Sequence, residues 1–130
     1  MGDGGRLEQE CSHINEITQK VTADSLVLMD EAFASTSAYD GLTLSEELLK
    51  YFAHIGCKCV FSTHNHDLAN KTGEISNFKH AKVKISNLTA EIRGGERTFR
   101  IERGTPEGHS HAKDVAEKYG LIFSFLEENL

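Results

Sequence analysis

The chain has 130 residues, 38% of them hydrophobic and 26% charged, with a formal net charge of −6. That is one domain's worth of an ordinary globular polypeptide, and its acidic balance argues against a face that grips DNA directly, leaving room only for a local basic patch. No run reaches the roughly 20 apolar residues of a membrane span, so no membrane partner is expected. Met1–Gly5 holds no apolar signal region, and the expected home is the cytoplasm.

In chain order, Leu7, Cys11, Ile14, Ile17 and Val21 recur at helical spacing, so residues 6–20 read as an amphipathic helix. Residues 25–29 form a continuous apolar run ending in Asp30 and Glu31. Such a run predicts a strand covered on both faces, near the centre of a parallel sheet. Residues 32–40 are small and polar and read as a loop. Residues 42–54 read as a helix with Leu44, Leu48, Leu49 and Phe52 inward. Residues 57–62 are the next strand, completing a βαβ unit. Residues 82–85 and 98–102 both alternate, with Gly94 and Gly95 between them. They predict an antiparallel pair joined by a longer turn at the sheet's edge. Residues 105–108 read as a turn, 111–118 as a short helix and 122–128 as another. The fold class is α/β, with parallel central strands flanked by helices and an antiparallel edge hairpin near the C-terminus.

Three cysteines, Cys11, Cys57 and Cys59, lack the paired spacing of a zinc site and read as buried free thiols. The chemistry-bearing residues gather elsewhere. Asp30 and Glu31 are adjacent carboxylates at the carboxyl end of an apolar strand, where open α/β sheets bind ligands. Burying charge costs free energy unless it is paired or bound to metal. An apolar strand ending in Asp-Glu is the pattern of a metal-holding strand: Asp30 for Mg²⁺, Glu31 for the attacking water. Solvated acids at a strand end are the plainer alternative. His64, Asn65, His66 and Asp67 follow the second strand, where a histidine can sense a phosphate. The same cluster could bind zinc through His64, His66 and Asp67, completed by His109 or His111, although Leu68 stands where a further ligand is needed. Ser35, Thr36 and Ser37 follow the carboxylates and read as a turn capping the next helix, a role compatible with ligand contact. Gly4 and Gly5 leave bare amides at a helix start, a weak anion-binding signal.

The order of Ser25-Leu26-Val27-Leu28-Met29-Asp30-Glu31, Thr36-Ser37-Ala38-Tyr39-Asp40-Gly41-Leu42, Ser62-Thr63-His64, His109-Ser110-His111-Ala112, Val115-Ala116 and Tyr119-Gly120-Leu121 closely resembles the C-terminal half of the ATPase domain of the MutS DNA mismatch-repair family. The resemblance covers nearly the whole chain, residues 1–130, and its most specific part is the Thr-Ser-x-Tyr-Asp-Gly segment. It implies a partial P-loop, ABC-type ATPase domain with ATP and Mg²⁺ as cofactors. Asp30 resembles the family's Mg²⁺-associated aspartate, Glu31 its water-orienting base and His64 its switch histidine. Residues 35–41 resemble a loop that crosses a dimer interface. The stretch from Gly4 to Glu10, with Gly4, Gly5 and Arg6 as its contact residues, aligns with the signature segment that contacts a γ-phosphate held by the opposite subunit. Gly5-Arg6-Leu7 stands where the family has Ser-Thr-Phe, and Phe33-Ala34-Ser35 where it has Gly-Arg-Gly, which points to a divergent MutS-like branch.

The phosphate-cradling pattern Gly-x-x-x-x-Gly-Lys-Ser/Thr occurs nowhere in the 130 residues. The expectation is therefore a portion of a longer, homodimeric ATPase that meets DNA through its other parts and is inactive alone. A metal-dependent hydrolase built on His64, His66 and Asp67 and a non-catalytic dimerisation module are the competing readings.

Overall fold

The computed structural model describes residues 5–106 and 111–128. The chain divides into two compact units, Met1–Asn87 and Leu88–Leu130. The first contains helix α1 (Arg6–Lys20), strand β1 (Leu26–Asp30), helix α2 (Ala38–Ile55), strand β2 (Lys58–Ser62), a 3₁₀ segment (His66–Lys71) and a short helix α3 (Thr72–Ser76). The second contains strands β3 (Leu88–Arg93) and β4 (Glu96–Arg103) and helices α4 (His111–Lys118) and α5 (Phe123–Glu128). The fold is thus mixed α/β, with a short parallel sheet and an antiparallel hairpin.

The first unit is organised by α2. Ser37 caps it, its side chain accepting the Asp40 N–H, and Asp40 puts negative charge into the first turn. Gly56 ends it in the left-handed conformation at φ 82°, its N–H returning to the Phe52 carbonyl at 2.9 Å. Between these signals, Gly41, Ser45, Leu48, Leu49, Phe52 and Ala53 are buried. Two neighbouring stripes of that face serve two clusters. Leu48 and Phe52 pack with Ile14, Val27, Met29, Ala32, Phe33 and Cys57, whereas Leu49 and Ala53 pack with Leu68 and Ile75. Leu44 is partly buried against the first cluster. The helix starts four residues earlier than its apolar pattern, because the Ser37 cap lies upstream of the first leucine.

β1 and β2 pair in parallel, from Leu26 opposite Lys58 to Asp30 opposite Ser62. The expectation that both faces of β1 are covered fails. Val27 and Met29 are buried, but Leu26 and Leu28 are 63% and 70% exposed, as is their neighbour Val60 at 58%. Both helices that contribute to the first cluster meet the Val27–Met29 face, and among the described residues nothing covers the other. Cys11 is likewise exposed and not part of the α1 stripe, which Ile14, Leu7, Ile17 and Val21 form without it.

The hairpin also departs from expectation. Residues 82–85 are not a strand; Lys82 donates its N–H to the Ala53 carbonyl, and Ile85 donates to Ser76 Oγ while packing on the second cluster. The segment bends at residues 82 and 83, and of its two alternating apolar residues Ile85 packs on the second cluster while Val83 is exposed. The partner of β4 is β3, joined through Gly94 and Gly95 at φ 62° and 81°. Two consecutive left-handed residues make the tight turn whose twist matches a hairpin, and this pairs Arg93 with Glu96 directly. The hairpin forms its own two-stranded sheet and does not extend β1–β2. It carries an irregularity between Ala90 and Ile92, opposite which Phe99 stands at φ 62° and 90% exposed.

Candidate functional site

The parallel register brings Asp30 and Ser62 side by side at the carboxyl ends of β1 and β2, and Ser62 Oγ donates to Asp30 Oδ1 at 2.6 Å. One residue on, the Glu31 N–H donates to the Ser62 carbonyl at 2.8 Å, so β2 grips both carboxylate residues. Across the gap, His64 Nε2 lies 2.5 Å from Glu31 Oε1, a contact that an Nε2–H donor satisfies. The side chains of His64 and Glu31 are 89% and 47% exposed, so this pair faces solvent, open to a ligand.

The backbone that presents Glu31 is strained. Glu31 and Phe33 adopt φ 53° and 64°, a region that costs a residue with a Cβ about 1–3 kcal/mol. Packing holds it there: Ala32 and Phe33 are 9% and 5% exposed and belong to the first cluster. The chain must turn off the sheet and dive into the core immediately after Glu31, which leaves the glutamate outside. Polar contacts secure the turn. Glu10 Oε2 on α1 accepts the Phe33 N–H at 2.8 Å, Ala34 donates to the Glu31 carbonyl and Thr36 to the Phe33 carbonyl. Gly41 lies so close that a Cβ there would meet the Phe33 carbonyl oxygen at 3.3 Å. Asn65 ties the His64 segment to the start of α2, its Nδ2 donating to the Ala38 carbonyl at 3.0 Å.

The donor set therefore consists of hard oxygens, the Asp30 and Glu31 carboxylates and the Ser62 hydroxyl, beside one imidazole. That set suits Mg²⁺, which takes one or two protein carboxylates and fills its shell with water and phosphate oxygens. Among the described residues no group of three His, Cys, Asp or Glu side chains is placed to hold a metal by itself. His66 and Asp67 are exposed and open the 3₁₀ segment, while His64 turns to Glu31. The zinc arrangement thus gains no geometric support; its further candidates, His109 and the side chain of His111, lie outside what is described.

Of the other anticipated contacts, Ser37 caps α2 and Thr36 closes the strained turn, with exposed Ser35 between that turn and the cap. Gly5 and Arg6 open α1 and are exposed; no hydrogen bond or ion pair joins them to Asp30, Glu31 or His64. Gly4 lies outside the described residues. Three further residues help to build the site, and the sequence assigns none of them its contact. Ser62 faces Asp30 by register, a signal available once the strands are aligned. Asn65 stands among residues already singled out. Glu10 is 23 positions from Phe33, and no local pattern announces the bond. Behind the site, burial pushes the Cys59 thiol up to about 11, with the neighbouring Cys57 adding to the effect. Burial raises Cys57 as well, against a smaller opposing hydrogen bond.

Residues 4–126 match the family model described as MutS domain V. The chain is 32% identical over 119 residues to a DNA mismatch repair protein MutS of Lactococcus lactis subsp. cremoris, an alignment covering 91% of this chain and 14% of the relative. It is 34% identical over 117 residues to a DNA mismatch repair protein MutS of Clostridium botulinum, covering 86% and 12%. It is 33% identical over 128 residues to an Endonuclease MutS2 of Clostridioides difficile, covering 93% and 15%. The chain therefore spans only about one seventh of the length of the curated relatives it matches.

Proposed function

The chain belongs to the MutS family, and from that premise we propose that it is the hydrolytic portion of a MutS-like DNA-repair ATPase, of P-loop ABC type and of a divergent branch. The observation that carries the reading is the Asp30–Ser62, Glu31–His64 constellation at the carboxyl ends of two parallel strands. Asp30, steadied by the Ser62 hydroxyl, is the residue that holds Mg²⁺. Bound Mg²⁺ supplies charge neutralisation on the phosphates of ATP. Glu31 projects its carboxylate from a backbone that packing fixes in place, and it orients a water for in-line attack on the γ-phosphate. Such preorganisation costs nothing at the moment of reaction, which is the value of a strained but over-determined turn. His64, in contact with Glu31, reports whether a γ-phosphate is present. Gly4, Gly5, Arg6, Ser35, Thr36 and Ser37 are the proposed contacts to nucleotide across a homodimer interface.

The phosphate-binding loop is not among these 130 residues, so another segment supplies it in this reading. DNA is met by other parts of the same protein, in keeping with the net charge of −6. Among the described residues no helix is long and apolar enough to cross a membrane, and the proposed setting is the cytoplasm. The test is Mg²⁺-dependent ATP turnover by this chain beside the same chain joined upstream to a phosphate-binding loop. Turnover by the longer polypeptide alone supports the reading; turnover by the 130-residue chain unaided refutes it.

A further inference from the structure

The polar link from α1 to the carboxylate loop is a bond from the Phe33 N–H to Glu10 Oε2, at 2.8 Å, partly buried and 23 residues distant in sequence. Its position is specific. Phe33 is the second of two residues held at positive φ, Glu31 is the first, and the buried Ala32 lies between them. A backbone N–H at this turn points away from any β ladder, and a charged acceptor is the strongest partner available to it. The same loop is otherwise secured by the Ser62 carbonyl of β2, which accepts the Glu31 N–H, and by its own Ala34 and Thr36 N–H groups. Ile14 joins α1 to the loop by packing with Ala32 and Phe33, and among the described residues Glu10 adds the hydrogen bond that ties the loop to the helix opening at Gly5 and Arg6.

We infer that Glu10 is a positioning residue: by holding the Phe33 amide it fixes the direction of the Glu31 carboxylate and couples any shift of α1 to it. The inference rests on the ATPase reading for what Glu31 does, but the clamp itself does not. Helix α1 is a rigid lever of 15 residues, and a movement at its start is carried to Glu10 in the second turn. Released, the Phe33 amide loses its acceptor while the packing of Ala32 and Phe33 stays, and the Glu31 carboxylate is less firmly aimed at His64. Contact made at the start of α1 thereby regulates turnover without touching nucleotide bound at Asp30.

The experiment has two arms. On the 130-residue chain, amide hydrogen exchange at Phe33 is followed in wild type, Glu10→Ala and Glu10→Gln. Loss of a charge-assisted bond accelerates exchange at Phe33 by about tenfold or more in Glu10→Ala, whereas Glu10→Gln, which keeps an acceptor oxygen, recovers much of the protection. Equal exchange in all three overturns the clamp. In the longer polypeptide carrying a phosphate-binding loop, Glu10→Ala lowers kcat about tenfold with KM for ATP nearly unchanged, and Glu10→Gln restores most of it. A rise in KM alone, or a Gln variant as impaired as the Ala variant, overturns the coupling. Glu31→Gln separates the two ideas: retained turnover there sinks the ATPase reading while leaving the Phe33 exchange result standing. A Glu10→Ala chain that does not fold leaves the decision to Glu10→Gln, for which wild-type exchange with tenfold lower kcat contradicts the account.

Discussion

The two units follow opposite packing regimes. In residues 5–87, Phe52 and Ala53 are each 2% exposed and Ile75 is fully buried. In the second unit, Leu88 and Ile101 are 62% and 67% exposed, and Tyr119 and Phe123 are 72% and 76%. The difference is one of geometry. Helix α2 presents two stripes and finds a cluster for each within the same 87 residues. A two-stranded hairpin has two faces, two edges and no layer of its own to bury against, and such a ribbon is marginal in water. Apolar alternation is thus a request for an opposing surface, and among the described residues α2 supplies one within the first unit.

The largest effect that sharpens this contrast is a matched pair of truncations. Phe52→Ala removes a fully packed ring and lowers stability by about 3–5 kcal/mol, whereas Ile101→Ala changes it by about 0.5 kcal/mol or less. Urea unfolding followed by circular dichroism measures both, and similar costs break the comparison. Next comes Gly41→Ala. The Phe33 carbonyl it presses at 3.3 Å also accepts from Thr36 and cannot give easily, so a loss of about 1–3 kcal/mol is expected, with resonance shifts centred on residues 31–36. A neutral Gly41→Ala shows instead that the turn is soft. Ser37→Ala removes only the cap of α2 and costs about 1 kcal/mol in the same unfolding assay.

The last effect is absent at neutral pH and appears only in alkali. The Cys59 thiol is raised to about 11 from an ordinary 9.0. The folded chain therefore keeps that proton where the unfolded chain has lost it. Stability from this source is intact below pH 9 and declines between pH 9 and 11, a slope that Cys59→Ser reduces. Thiol labelling at neutral pH follows the same logic, with exposed Cys11 reacting well before buried Cys57.

Much of the first unit could be read from the amino acids. The apolar run into Asp30 and Glu31 reports a strand end, Ser37 reports a cap, and the spacing of Leu48, Leu49 and Phe52 reports one helix face. Each is a local signal with a local cause. What could not be read depends on distance or on absence. The left-handed angles of Glu31 and Phe33 arise because Phe33 is needed in the core, a tertiary demand that overrides residue preference. Residues 82–85 alternate like a strand, yet only Ile85 of their apolar pair packs on Ile75's cluster, and the Gly94–Gly95 turn sets the pairing of β3 with β4. The open face of Leu26, Leu28 and Val60 has the composition of a buried strand without a covering layer among the described residues.

The central claim is that Glu31 performs the hydrolytic step at a site Asp30 helps to build. The most direct measurement is ATP binding and single-turnover hydrolysis by Glu31→Gln in the chain joined to a phosphate-binding loop. The account predicts nucleotide affinity within about twofold of the parent and a hydrolysis rate lower by at least about a hundredfold. Hydrolysis at the parent rate, or loss of binding together with turnover, contradicts it.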